Sequence, residues 1–147
     1  MIRNLTAVII GIIAGMIVNM SIIELNFKTL HPMPEGLDMR DPKQFQVFID
    51  TLPASGFLVS MIAHLAQSFI GGWVAARLGS SRPMLLAMII GIISLAGGVL
   101  MMTAIKGPAW MMIELPLYLI VAWSAGRMEQ SRRAAADDPA TAPAETT

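Results

Sequence analysis

Three ionisable side chains stand in or at the edge of long apolar runs of this sequence: Glu24, His64 and Glu114. Putting an ionisable group into hydrocarbon costs several kcal/mol, roughly 2.5 to 3.5 for Asp on insertion scales, so each calls for a partner or a purpose. A buried carboxyl beside an imidazole is a pairing that can hand on a proton near neutral pH. One reading is therefore an intramembrane proton or cation site, with Glu24 at its mouth, Glu114 below it and His64 at the bottom. Asn19, Gln67 and Ser94 would serve as hydrogen-bond partners. The plainer reading makes Glu114 and His64 an interhelical hydrogen bond that fixes register, with Glu24 among lipid headgroups. Below Ser68 no ionisable group precedes Arg77. The pattern thus draws at most a half-channel, which favours the plainer reading.

Other chemistry finds less support. Methionine is abundant, 13 in 147 residues, and thioethers bind Cu(I). Met101, Met102, Met111 and Met112 flank one turn, and His31, Met33 and Met39 share one loop. The i, i+4 pairs Met16 with Met20 and Met84 with Met88 fall near opposite membrane faces and cannot share an ion. Flexible packing is the expected role of these side chains, and no metal or cofactor is expected. There is no G-x-S-x-G, HExxH, P-loop or dinucleotide fingerprint. Ser60 with His64 is an i, i+4 pair without an oriented third group or an oxyanion hole. No catalytic residue is assigned, and the chain is read as no enzyme. The absence of cysteine removes disulfides and thiolate chemistry. Ten Lys and Arg balance ten Asp and Glu, so no basic field points to nucleic acid.

The elements that must position these residues follow from hydropathy. Hydrophobic residues make up 55% of the chain and charged ones 14%, with a mean hydropathy of +0.65. Crossing about 30 Å of hydrocarbon takes roughly 20 apolar residues in a helix. Four segments qualify, at about 5–25, 54–78, 83–105 and 108–128. The first is longer than a signal-peptide core and lacks a small-x-small cleavage site, so it reads as a retained anchor. Arg3, Arg77, Arg82, Arg127, Arg132 and Arg133 fall on one side, against Lys28, Arg40, Lys43 and Lys106 on the other. By the positive-inside rule both termini are predicted to be cytoplasmic.

Short connections after the second and third segments imply antiparallel hairpins. The outer loop at 26–53 is long. Its first half holds His31, Pro32, Pro34 and Gly36 and cannot be regular helix. In its second half Asp41 as N-cap, Pro42 at the first position and Gln44 precede Phe45, Phe48, Ile49 and Leu52. That spacing predicts a short amphipathic helix on the outer membrane surface or over the bundle mouth. Residues 129–147 carry no apolar periodicity and are read as a disordered cytoplasmic tail. Pro116 is expected to kink the fourth segment near Glu114.

Lipid tails are as apolar as leucine, so small-residue seams and hydrogen bonds must pair the helices. The seams are Ala7, Gly11, Gly15 and Asn19; Ser60, His64, Ser68, Gly72 and Ala76; Ala87, Gly91, Ser94 and Gly98; and Glu114, Tyr118, Ala122 and Gly126. The predicted fold is all-α, a four-transmembrane-helix bundle with packing glycines at 11, 15, 72, 91 and 98. The same seams could serve a homo-oligomer.

The Gly-x-x-x-Gly seam of the first helix, the loop Pro32-Met33-Pro34-Glu35-Gly36-Leu37-Asp38, and a following helix with His64 and Gly71-Gly72 resemble small uncharacterised four-helix inner-membrane proteins of bacteria. The resemblance spans most of residues 1–128. It implies a four-helix architecture in the cell inner membrane and carries over no activity and no binding residue. The expected partners are the lipid bilayer and either another membrane protein or a second copy. The expected role is structural or accessory, the alternative being a small proton-linked or cation transporter that uses His64 and Glu114.

Overall fold

The computed structural model describes residues 2–38 and 40–137. Every regular element in that range is helical: α1 (Ile2–Leu25), α2 (Pro42–Thr51), α3 (Ala54–Leu78), α4 (Pro83–Ala104) and α5 (Glu114–Ala136). Four of the helical runs, Ile2–Leu30, Ala54–Leu78, Pro83–Ala104 and Ala109–Ala136, are long and apolar enough to cross a membrane, the make-up of a multi-pass membrane protein.

Three boundaries differ from the sequence reading, each for a local reason. The first run does not stop at Leu25 but continues as a π turn over Asn26–Leu30, closed by the His31 N–H donating to the Asn26 carbonyl at 2.7 Å. A π turn holds more residues than an α turn. Here the neighbours Asn26 and Phe27 are both buried. The irregular loop therefore begins at His31.

The fourth run opens as a 3-10 turn, Ala109–Ile113, and becomes α-helix only at Glu114. Pro116 explains this. Without an N–H it cannot bond the carbonyl four residues back, and its ring crowds that turn. At the third position of α5 it sits where an N–H lacks an intrahelical partner. Pro116 thus marks the start of the α-helical part of the run rather than a kink, and Glu114 opens that part while still lying inside the Ala109–Ala136 run.

At its other end α5 runs to Ala136, past Met128, so residues 129–136 are helix and not tail. Glu129 pairs with Arg132 and Arg133 three and four residues on, the spacing that supports a helix face, and three alanines follow. The rest of the expected tail, from residue 138, and Met39 lie outside the described residues.

The centre of the molecule is α3, which packs against α1, α4 and α5. It can do so because small residues face several directions: Ser60, Ala63, Ser68, Gly71, Gly72, Ala75 and Ala76 are all buried. Between α1 and α3 the backbones nearly touch. A methyl group added at Gly11 would lie 2.5 Å from the Gly71 carbonyl oxygen and 2.9 Å from the Ala75 Cβ, and one at Gly15 would lie 2.6 Å from the Gln67 carbonyl oxygen. Between α4 and α5 the same device recurs: an added methyl would lie 2.6 Å from the Ala122 Cβ at Gly91 and 2.7 Å from the Tyr118 ring at Gly98. Gly72 differs: an added methyl there would meet Ala87 at 3.5 Å, an ordinary contact. The close approach on α3 is made by its neighbour Gly71, where an added methyl would lie 2.8 Å from the Gly11 carbonyl oxygen.

One end of this assembly is closed by α2. Asp41 caps it, accepting from the Lys43 N–H, and Pro42 starts it. That amide bond, joined by one from the Gln44 side chain, holds the Asp41 carboxyl below the usual carboxylate range. Phe48, Ile49 and Leu52 are buried with Phe27 and Phe57. The Phe27 and Phe48 rings meet edge to face at 5.2 Å. Gln46 completes the docking by bonding both the carbonyl and the N–H of Lys106. The helix therefore lies over the ends of α1 and α3 and against the turn between α4 and α5.

Candidate functional site

Two interior helices bring His64 and Glu114 together. His64 is on α3 and Glu114 opens α5, and His64 Nδ1 lies 2.9 Å from Glu114 Oε1. The Tyr118 hydroxyl, one turn further along α5, donates to the same oxygen. The tautomer of the imidazole sets which of the two donates; an ionised carboxylate can only accept, and against it Nδ1 is the donor. Glu114 is 2% exposed and the His64 side chain 25%; the acid is enclosed while the imidazole reaches toward the periphery. The second carboxyl oxygen, Oε2, is buried without a hydrogen-bond partner.

The surroundings fix this cluster in place. Gly98 on α4 clears room for the Tyr118 ring. From α3, the buried Ser68 hydroxyl donates to the Tyr118 carbonyl at 3.0 Å. His64 and Ser68 are four residues apart on α3, as are Glu114 and Tyr118 on α5, so two successive turns of each helix are bonded across one interface.

The remaining expected site residues divide. Asn19 of α1 donates to Gln67 Oε1 of α3 at 2.6 Å, and its own Oδ1 is buried without a partner. This is a second bridge, between a different pair of helices. Glu24 takes no part: its carboxylate pairs with Lys28 on the exposed face of the same helix. The expected column of Glu24, Glu114 and His64 is therefore not formed, because one helical turn offers Glu24 a cation of its own. Ser94 is buried on α4, and among the described residues it bonds neither Glu114 nor His64.

Two polar clusters escaped the sequence reading. Asn26, fully buried, donates to the Gly56 carbonyl and to Ser60, and its Oδ1 meets His31 Nδ1 at 2.7 Å. His31 Nε2 in turn meets Ser55 at 2.9 Å. The network ties the π turn to the start of α3. At the opposite end Glu129 is fully buried beneath Arg132, which grips it through two nitrogens at 2.8 and 2.7 Å, and Arg133, at 2.9 Å. Arg133 also donates to the carbonyls of Ala76 and Gly79, covering the C-terminal end of α3. The i, i+3 and i, i+4 spacing of Glu129, Arg132 and Arg133 was the available signal. Nothing in the sequence joined Asn26 to Ser60.

No protein-family model matches the chain, and no curated protein or solved structure matches it either. Its function is therefore read from this geometry.

Proposed function

We propose that this chain is an integral membrane protein without enzymatic activity, a four-helix bundle of the cell inner membrane that serves a structural or accessory role beside a partner. The observation that carries the reading is the use made of its polar interior groups. Glu114, only 2% exposed, is held by His64 and Tyr118, and Asn19 is held by Gln67. Such bonds pair helices where hydrophobicity cannot, at about 0.6 kcal/mol on average and up to about 1.7 each. Outward, α1 presents an apolar row of Ile9, Ile13, Ile17 and Met20, which suits lipid or the helix of another membrane protein. Arg3 and Arg133 both bond carbonyls at the end of α3, so the two ends of the described chain meet on one side. The positive-inside rule assigns that arginine-rich side to the cytoplasm.

A second reading, proton-linked or cation transport through His64 and Glu114, is favoured by one observation: Glu114 Oε2 is buried without a hydrogen-bond partner, and a carboxyl oxygen in that state can take a proton or a small cation. Flux assays on proteoliposomes separate the two. Background flux, with His64→Ala and Glu114→Gln only less stable than the parent, is expected of an accessory protein. Proton or cation flux abolished by both variants would overturn that role. Purification from native membranes in mild detergent should then recover a partner or a homo-oligomer.

A further inference from the structure

At the end of the molecule where α1 begins and α5 closes, the lining of a cleft of about 430 Å³ includes Arg3, Arg77, Arg132, Arg133, Ala136 and Asp137. Four guanidinium groups from three helices thus face one space. Among the described residues their charge is only half balanced: Glu129 below and Asp137 at the rim supply two negative charges against four positive ones.

The arginines are not equivalent. Arg133 is committed, bonding Glu129 and two carbonyls of α3, and Arg132 spends two of its nitrogens on Glu129. Arg77 lies 3.8 Å from Glu129, an ion-pair distance beyond hydrogen-bond range, and its side chain is 45% exposed. Arg3 uses Nε on the Leu78 carbonyl, which orients the rest of its fork. Glu129 lies beneath the arginines and outside the lining of the cleft. Fully buried, it fixes two arginines and so sets the spacing of the cationic wall.

We propose that this cleft binds a phosphate-bearing anion, the headgroup of an anionic phospholipid, held chiefly by Arg3 and Arg77 with the outer nitrogen of Arg132. Planar guanidinium forks match phosphate oxygens in pairs. The cleft lies where the four apolar helices end, at the depth of lipid headgroups, and basic pockets at such positions recruit anionic lipids. The inference rests on the four-span membrane reading and is independent of the partner.

The test uses the full chain in nanodiscs of phosphatidylcholine with and without phosphatidylglycerol. Retained lipid is read by native mass spectrometry, and melting is followed in detergent with added inorganic phosphate or short-chain phosphatidylglycerol. The parent should retain phosphatidylglycerol preferentially. The double variant Arg3→Gln/Arg77→Gln should bind it roughly 25-fold more weakly, at about fivefold per arginine. Ala136→Glu, which adds a carboxylate to an exposed position of the cleft without removing any bond, should act in the same direction and keeps the test open if the double variant misfolds. Lys28→Gln/Lys106→Gln, at the far end, should leave retention unchanged. Stabilisation by inorganic phosphate alone, lost in the variants, would keep the anion site and replace lipid by free phosphate as its source. Retention of phosphatidylglycerol by the folded variants equal to that of the parent would overturn the proposal.

Discussion

The two seams that α3 makes with α1 and with α5 hold helices together by different physics. Along α1 the contact is backbone on backbone, Gly11 against Gly71 and Gly15 against Gln67, and the attraction is dispersion summed over a long, close approach. Along α5 the contact is a ladder of side-chain hydrogen bonds, His64 to Glu114 to Tyr118 with Ser68 on the Tyr118 carbonyl. The first seam tolerates no added volume, and the second no loss of a polar partner. A membrane protein without a hydrophobic drive between helices has few alternatives to these two, and this one relies chiefly on the first toward α1, where Asn19 to Gln67 adds a side-chain bond, and on the second toward α5.

Volume added to the first seam should have the largest effect. Gly11→Val would force a side chain onto the Gly71 carbonyl, and a loss of about 3 kcal/mol is expected, read as a lowered unfolding midpoint in detergent. Wild-type stability of that variant would mean the seam is not close-packed. Next comes Glu114→Ala, which strips partners from His64 and the Tyr118 hydroxyl; a loss of about 1–3 kcal/mol is expected by the same assay, with Glu114→Gln milder. The contrast sharpens with two neighbours on α3. Gly71→Ala should destabilise by about 1–3 kcal/mol because its methyl would meet the Gly11 carbonyl oxygen at 2.8 Å, whereas Gly72→Ala, in ordinary contact with Ala87, should change little. Equal losses at the two positions would contradict the assigned register.

The smallest effect lies outside both seams, at the cap of α2. Bonds from the Lys43 amide and the Gln44 side chain lower the Asp41 pKa in the folded chain, so its contribution is present above the unfolded value of about 3.9 and fades as pH falls through the lowered one. Protection of the α2 amides, taken relative to their intrinsic exchange rate at each pH, should therefore fall selectively as pH drops below about 4, and Asp41→Asn should blunt that dependence. Protection in α2 that stays constant through this range would count against the cap.

Hydropathy made the four long helices legible, since twenty-odd apolar residues in a row have few other uses. The cap residues Asp41 and Pro42 likewise disclosed α2. Geometry along a helix was harder to read. Pro116 converts the turn before it to 3-10 geometry, so Glu114 opens the α-helical part of its run. The four-residue stripe on α3 included Gly72 but could not show that Gly71 faces α1, because spacing alone does not orient a helix between three neighbours. The His64 and Glu114 pairing was legible as an option, while Asn26 with His31 and Ser60 was not, since a π turn shifts side chains off the α period. Glu129 was hidden by the polar composition around it. Its burial comes from the arginines that cover it, which no hydropathy window registers.

The claim that His64 and Glu114 lock α3 to α5 is tested most directly by a double-mutant cycle. Unfolding free energies of the parent, His64→Ala, Glu114→Gln and the double variant, measured in lipid bicelles, should give a coupling of about 0.6–1.7 kcal/mol. A coupling indistinguishable from zero, with both single variants as stable as the parent, would contradict it.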